Sequence, residues 1–256
     1  MLVKEKLSVR QACKLVSLPR SVMTYKRVPK DDSSLIDALN QLVEKHPSIG
    51  FWKCYYRLRR KGITCNHKRL YRVYTTLRLN IRRRPKRRIP QRVKEPLVVP
   101  QGINKSWSMD FMTDSLVDGR RFRMLNIMDD YNRESLAVEV DTSLPSLRVI
   151  RVLERLLEFR GKPESIRVDN GPEFISDKLK LWCEDRNIHL QFIQPGKPVQ
   201  NAFIERKNGS MRKELLDAYL FYSLDEVRCL AEEWRMDYNH ERPHESLGFV
   251  PPAEYV

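Results

Sequence analysis

Several features that would place a chain in a membrane or outside the cell are missing from this sequence. It has no run of about 18 apolar residues, and its first residues, MLVKEKLSVRQ, lack the apolar core of a secretion signal. The five cysteines are scattered and form no CxxC pair, which favours reduced thiols over a disulfide or zinc framework. We therefore expect a cytoplasmic protein that is not attached to a membrane.

Acidic residues are scarce in the first part of the chain. Residues 1–100 contain 26 Lys and Arg but only 6 Asp and Glu, a balance of +20, whereas the rest contains 22 and 27, a balance of −5. A basic segment joined to a slightly acidic one suggests a polyanion-binding arm attached to a separate working domain.

The basic part divides into two helical segments. Residues 1–30 predict a helix-turn-helix-like segment with Ser8 as the first helix cap, and residues 31–80 predict three helices, the last capped by Asn66. In that last helix cations alternate with tyrosines, a composition suited to DNA contact, which we favour over a solvated basic face. The candidate DNA-binding residues here are Lys68, Arg69 and Arg72.

Residues 81–103 predict a linker. The stretch IRRRPKRRIPQRVKEPLVVP contains four prolines and two Arg clusters, so backbone donors are missing and the charges repel one another. Its cations are suited to following a phosphate backbone. The candidates are Arg82, Arg83, Arg84, Lys86, Arg87 and Arg88.

Residues 104–256 predict an α/β domain. Two alternating runs flank an Asp118-Gly119 turn, a third alternating run follows, and helices and short strands then alternate. This order predicts a mixed five-stranded sheet with flanking helices.

Two aspartates of this domain lie where an ordinary structural role is hard to supply. Asp110 lies within a strand among apolar residues, and Asp169 ends the short apolar strand IRVD directly before the turn Asn170-Gly171-Pro172. A buried carboxylate needs a cation, hydrogen bonds or a metal to offset the loss of water. Converging carboxylates therefore suggest a site for a hard divalent cation.

A glutamate separated from Asp169 by 35 residues (205 − 169 − 1) completes the set. Glu205 follows the Pro/Gly loop of QPGKPVQNAFIER in the first turns of a predicted helix. With the words SMDFM, VDNGPEFIS, QPGKPVQNAFIERKNGSMRKELLD and YNHERPHESLGFVPPAEY, the second part resembles the OrfB-type transposases of bacterial insertion-sequence family three. These are Asp-Asp-Glu recombinases with a retroviral-integrase-like core.

The resemblance implies a fold, an activity and a metal. The fold would be an α/β ribonuclease H-like catalytic domain preceded by all-α helix-turn-helix segments. Asp110, Asp169 and Glu205 would be the catalytic and metal-binding residues for two Mg²⁺ ions, with Mn²⁺ able to substitute, and Asp110 would bridge both ions. The reaction would be metal-dependent DNA strand cleavage and 3′-hydroxyl strand transfer.

Neighbours of Glu205 are candidate DNA contacts. Asn201 and Asn208 share its helix face, Arg212 follows at the family's spacing of seven, and Lys197 lies in the preceding loop. The alternative for Arg212 is a surface arginine paired with Glu214 or Asp217. Many relatives carry Ser-Phe or Arg-Phe after the glutamate, whereas this chain carries Arg206-Lys207.

Other acidic residues and histidines have simpler explanations. Asp114 lies at a strand edge, and capping and solvation account for Asp129 and Asp130 at a turn. His240 and His244 would need a helix to share a metal, but Pro243 interrupts it, so we expect a packing role.

We predict a DNA transposase acting on element ends and target DNA. The alternatives are a ribonuclease H-type nuclease and a DNA-binding regulator with an inert α/β domain. The expected partners are double-stranded DNA, further copies of the chain on DNA, and an upstream OrfA-type protein or fusion, since no sustained heptad run is visible here. We expect such a chain in the bacterial cytoplasm, associated with the nucleoid.

Overall fold

The structure is a computed structural model that describes residues 8–26, 31–81, 99–194 and 198–255. In these residues no helix is long and apolar enough to cross a membrane, and all five cysteines are free thiols.

Two short helices come first. α1 (Val9–Leu15) begins with a capping box in which Ser8 and Gln11 satisfy each other's backbone amides, as predicted for Ser8. α2 (Arg20–Thr24) follows after a turn at Ser17, whose φ is 53°.

Three longer helices share one small core. They are α3 (Ser33–Lys45), α4 (Phe51–Arg60) and α5 (His67–Thr76). Each buries one apolar stripe at helical spacing, for example Leu35, Leu39 and Leu42 of α3. The predicted cap of α5 is confirmed, because the Asn66 side chain accepts from the Lys68 amide.

The second part is built on one mixed sheet in the order β3-β2-β1-β4-β5. The first three strands form an antiparallel meander, whereas β4 and β5 run parallel to β1. The strands are β1 (Ser106–Ser115), β2 (Arg121–Asp129), β3 (Ser135–Asp141), β4 (Ser165–Val168) and β5 (His189–Phe192). The predicted five-stranded mixed sheet is confirmed.

Helices cover both faces of the sheet. They are α6 (Ser146–Arg160), α7 (Pro172–Ile175), α8 (Asp177–Asp185), α9 (Ala202–Met211) and α10 (Leu224–His240). A π-helical turn, Arg212–Leu216, continues directly from α9.

Alternation along β1 separates two cores. Trp107 and Met109 face the cluster formed with α6, α7 and α8, whereas Met112 faces the cluster formed with α9, the π-helical turn and α10. The even-numbered residues of β1, including Asp110, therefore share the face covered by α9. We call this surface the α9 face.

The helical part contacts the end of the sheet domain. The Arg57 guanidinium of α4 forms a two-pronged ion pair with Asp237 of α10, with Nη1 2.9 Å from Oδ1. Beside it, Tyr56 stacks on Phe249 with ring centroids 4.1 Å apart. The two parts are thus joined by charged and aromatic contacts.

Candidate active site

Strand pairing places Asp110 and Asp169 side by side. In the parallel β1–β4 pair Ser106 lies opposite Ser165 and Ser108 opposite Arg167, a constant offset of 59 residues. The same offset leads from Asp110 to Asp169, the residue directly after β4 (169 − 110 = 59). Neighbouring strands lie about 4.8 Å apart, so both aspartates occupy one edge of the α9 face.

Asp110 is a half-buried carboxylate that accepts hydrogen bonds from two donors. Its Oδ1 accepts from the Phe111 amide at 2.8 Å, and its Oδ2 accepts from Asn208 Nδ2 of α9 at 2.7 Å. Burial raises its pKa to about 6, and the charges of Asp169 and Glu205 push the pKa in the same direction. Asp169 and Glu205 therefore both lie within electrostatic reach of Asp110.

Asp169 is fixed by the turn that follows it. Its Oδ1 accepts from the Gly171 amide at 2.9 Å, and Pro172 then starts α7. A Cβ at Gly171 would come within 2.9 Å of that same oxygen, so any larger residue would displace the carboxylate. Gly171 thus leaves the Asp169 carboxylate the space that it occupies at this turn.

Glu205 lies in the first turn of α9 with its side chain exposed. Across the described ranges, no group of three or more His, Cys, Asp or Glu side chains is arranged to hold a metal ion. The fold brings the two aspartates to one edge and the glutamate to the helix above it, without closing the three carboxylates around a common point.

Two asparagines of this region are buried with one amide oxygen unsatisfied. Asn208 donates to Asp110, while its own Oδ1 has no hydrogen-bond partner. Asn201 is 3% exposed, and its Oδ1 also lacks a partner. Asn201 and Asn208 are therefore buried side chains rather than the surface groups that a direct DNA contact would require.

The burial of Lys207 was not predicted from the sequence. It is 1% exposed, and its Nζ donates to Asn126 Oδ1 at 2.8 Å. Burial lowers its pKa to about 7, Arg235 acts in the same direction, and Asp110 opposes both. The available signal was helical spacing, because Lys207 lies three residues after Ile204 and four before Met211 on the buried side of α9.

Arg212 lies at the start of the π-helical turn and contacts β1. Its Nη1 is 2.7 Å from Asp114 Oδ2, and its Nη2 donates to the Thr113 carbonyl. The partner is therefore Asp114, not Glu214 or Asp217. Glu214 pairs instead with Arg242.

The candidate DNA-binding residues of the helical part lie on α5. Lys68 is exposed, whereas Arg69 and Arg72 both pair with Asp32, which precedes α3. The other candidates lie outside the described residues: Arg82, Arg83, Arg84, Lys86, Arg87, Arg88 and Lys197.

The expectation that capping and solvation account for Asp129 and Asp130 is confirmed for the capping by Asp129, which accepts from the Asn104 and Tyr131 amides, but it is wrong for solvation. Both are fully buried. Asp130 accepts from the hydroxyls of Ser106 and Ser108 and pairs with Arg167 at 3.0 Å. Its negative charge is compensated by these neighbouring side chains on the sheet. The turn-like sequence around Asp130 did not predict these contacts.

Of the two histidines, His244 has the expected packing role, whereas the His240 side chain is exposed. His244 packs its ring edge-on against Tyr238 with centroids 4.7 Å apart, and its backbone bridges to Val250. The last residue of α10 is His240.

Family models and relatives agree on one class of protein. Two models described as "Integrase core domain" match residues 100–198 and residues 186–252. A 31.7 kDa protein of insertion element IS407 from Burkholderia multivorans is 39% identical, covering 99% of this chain and 93% of the relative. A 39.2 kDa protein of insertion element IS476 from Xanthomonas euvesicatoria is 38% identical, covering 100% and 74%.

A solved structure is similar over both parts of the chain. It is a chain of a simian T-cell lymphotropic virus intasome, at 17% identity and a TM-score of 0.54, covering 84% of this chain and 73% of that one. This similarity shows a shared fold.

Proposed function

This chain belongs to the transposases of insertion-sequence family three, which have a retroviral-integrase-like core, and from that membership we propose a catalytic site formed by Asp110, Asp169 and Glu205. The chain is a DNA transposase and an Asp-Asp-Glu polynucleotidyl transferase with a ribonuclease H-like domain. Neither alternative, the ribonuclease H-type nuclease or the inert regulator, is favoured by these relatives.

The observation that carries the site is the shared register of Asp110 and Asp169 beneath α9. Two carboxylates on adjacent parallel strands repel each other, and Glu205 adds to the charge that raises the pKa of Asp110. Oxygen ligands of this kind suit Mg²⁺ or Mn²⁺, and the unsatisfied Asn208 Oδ1 beside Asp110 is an acceptor suited to a metal-bound water. The residues present thus fit a divalent metal.

We assign roles to the three carboxylates accordingly. Asp110 would contact both ions, Asp169 one and Glu205 the other. When bound, the two ions would activate the attacking oxygen and stabilise the leaving oxygen of the phosphodiester. Because Glu205 is exposed, the site would close when this carboxylate turns toward the aspartates.

The chain's own groups prepare the site for the reaction. Asn208 and the Phe111 amide hold both oxygens of Asp110, and the Gly171 turn holds Asp169. An attacking water or 3′-hydroxyl would form a new P–O bond as the existing P–O bond breaks, with charge developing on the departing 3′-oxygen. Fixed carboxylates reduce the reorganisation that this step requires.

We also propose the DNA contacts and partners. Arg212 would exchange Asp114 for a DNA phosphate, while Lys197, the α5 cations and the linker cations would follow the backbone. Asn201 and Asn208 would support the DNA-binding edge from beneath. The chain would act as a homo-oligomer on element ends and target DNA, together with an upstream OrfA-type protein or fusion, at the bacterial nucleoid in the cytoplasm.

The test replaces each carboxylate by its amide. Asp110→Asn, Asp169→Asn and Glu205→Gln should retain DNA binding but lose Mg²⁺- or Mn²⁺-dependent cleavage and joining, by about 10³-fold or more, because an amide cannot supply the ligand charge. The control is Asp177→Asn, an exposed carboxylate at the start of α8. Unchanged strand transfer in any of the three triad variants would overturn the assignment.

A further inference from the structure

Two large aromatic side chains of the helical part lie half in solvent. Trp52 of α4 is 49% exposed and Tyr71 of α5 is 51% exposed. Both rings contact the ring of Phe51, at centroid distances of 5.2 and 5.0 Å. The two exposed rings therefore belong to one continuous aromatic surface.

Neighbouring rings hold Trp52 in place. Its indole meets the ring of Tyr55 edge-on at 5.9 Å, and it lies 5.9 Å from the ring of His67 with an angle of 34° between the two planes. His67 is itself exposed and lies one helical turn before Tyr71 on α5. We call Trp52, His67 and Tyr71 the aromatic face. Because rings fixed by their neighbours lose little freedom when another ring stacks on them, this face is preorganised for stacking.

A row of cations runs beside the aromatic face. Lys68 and Arg72 are four residues apart on α5, and each directly follows a ring of the face in sequence. Lys68 is exposed, and Arg72 is also exposed although its Nη2 lies 2.5 Å from Asp32 Oδ2. Residues 31–80 as a whole contain 10 Lys and Arg against 4 Asp and Glu. The surroundings of the rings are therefore complementary in charge to a polyanion.

Rings and cations side by side fit a single-stranded nucleic acid better than a duplex. In a duplex the base faces are stacked on one another, and the open base edges are recognised through hydrogen bonds. An unpaired base presents its face, on which an aromatic ring can stack while nearby cations contact the phosphates. The aromatic face supplies the rings, and Lys68 and Arg72 supply the cations.

We propose that the aromatic face binds unpaired nucleotides of single-stranded DNA, with bases stacked on Trp52 and Tyr71 and the backbone held by Lys68 and Arg72. The face lies on other elements than the carboxylates, so the inference does not rest on the proposed metal site. It gives the helical part a task beyond duplex contact, that of holding an unpaired strand. Since every base has a face on which a ring can stack, this binding has little sequence preference.

The experiment measures binding of the full chain, without divalent metal, to a labelled mixed-sequence DNA strand of about 16 nucleotides and to its blunt duplex. Trp52→Leu should weaken single-strand binding about tenfold and duplex binding less than about twofold, because stacking is lost while the charges remain. Trp52→Phe keeps a ring and should retain most of the single-strand affinity. Equal losses for strand and duplex in Trp52→Leu would overturn the proposal, since the face would then lie against duplex DNA.

Salt dependence separates stacking from charge. Trp52→Leu should leave the slope of log K against log salt unchanged, because an uncharged ring releases no counterions. Lys68→Gln should make the slope for the single strand shallower by about 0.7. A slope that changes as much in Trp52→Leu as in Lys68→Gln would contradict stacking.

A second ring and a matched control complete the test. Urea unfolding identifies folded variants, and Tyr71→Leu tests the second ring and serves if Trp52→Leu does not fold. The control is Tyr222→Leu, which removes an exposed ring close to Glu226 and should change single-strand affinity less than about twofold. Unchanged single-strand affinity in the ring variants, or an equal loss in Tyr222→Leu, would overturn the proposal.

Discussion

At the scale of the residue, Asn208 links the helix that bears the glutamate to the strand that bears the first aspartate. Its Nδ2 is 2.7 Å from Asp110 Oδ2. Sequence spacing suggested a DNA contact, but its hydrogen bond suggests a second task, that of orienting the Asp110 carboxylate. The two tasks make different predictions for one substitution.

Asn208→Ala should slow strand cleavage about tenfold while DNA affinity changes little, because a hydrogen bond to a charged group contributes about 1.5–3 kcal/mol. Single-turnover cleavage and DNA-binding titrations measure the two effects. Ser210→Ala on the same helix is the control. A loss of DNA affinity equal to the loss of rate would show that Asn208 acts on DNA instead.

His244 should make stability depend on pH. Burial lowers its pKa to about 3, with Arg242, Lys53 and Arg133 acting in the same direction, whereas an unfolded histidine has a pKa of about 6.5. As the pH falls below about 6.5, His244 becomes protonated in the unfolded chain but stays neutral in the folded chain. The free energy of unfolding therefore decreases.

The comparison is with His244→Gln, which cannot titrate. Between pH 7 and pH 5 the unmodified chain should lose about 1–2 kcal/mol more than this variant, measured by urea unfolding. Parallel pH curves for the two proteins would contradict the buried neutral imidazole.

At the scale of the element, the start of α9 is held by a cation over an aromatic ring. The Arg133 guanidinium carbon lies 3.3 Å from the centroid of Phe203, which is two residues before Glu205. Arg133 itself is fixed by a hydrogen bond to the Asp130 carbonyl and has a φ of 62°. The β2–β3 turn therefore anchors the helix that carries the glutamate.

Phe203→Leu should loosen this anchor, costing about 1 kcal/mol of stability and reducing cleavage several-fold, since the cation–π contact is lost while the side chain remains apolar. Thermal unfolding and single-turnover cleavage test both effects. Phe159→Leu is the control, because that side chain is exposed at the end of α6. Unchanged cleavage in Phe203→Leu would show that the ring does not position Glu205.

Local sequence patterns predicted the type of each element better than they predicted which residues are buried within it. The hairpin at Asp118-Gly119, the Ser8 and Asn66 caps and the mixed five-stranded sheet agree with what alternation and turn residues predict. The burial of Asp130 and Lys207 could not be predicted in this way, since their hydrogen-bond partners come from elements distant in sequence. Local pattern specifies an element, but not which polar residue it will enclose.

At the scale of the whole molecule, the helical part is joined to the catalytic part by Arg57 and Asp237. Arg57→Met leaves the Asp237 carboxylate partly buried without its main partner, which should cost about 3 kcal/mol of unfolding free energy. Arg59→Met, an exposed neighbour on α4, should change it by less than about 0.5 kcal/mol. Urea unfolding measures both, and equal effects would mean that the ion pair does not couple the two parts.

The contacts between the helical part and the catalytic part decide how DNA binding by the basic arm should be tested. Deleting it would also remove Arg57, Arg60 and Tyr56 from the surface of the catalytic part. Replacing the six linker cations by serine avoids that loss. If each neutralises one phosphate, the slope of log K against log salt should become shallower by about 5. The substituted residues are Arg82, Arg83, Arg84, Lys86, Arg87 and Arg88. An unchanged slope would mean that the linker does not contact DNA.

The sequence by itself determined the class of protein, the order of its elements and the identity of three candidate carboxylates. Motif spacing is a property of the chain, and helical and strand periods need only local geometry. The division at residues 30, 80 and 103 remains a prediction of the same kind.

Only the tertiary structure decided which groups surround those carboxylates. The parallel register of β1 and β4 sets Asp169 beside Asp110, and packing of α9 brings Asn208 and Lys207 beneath the same edge. A charge buried by distant elements is costly, and whether its surroundings offset that cost depends on contacts that no local pattern contains.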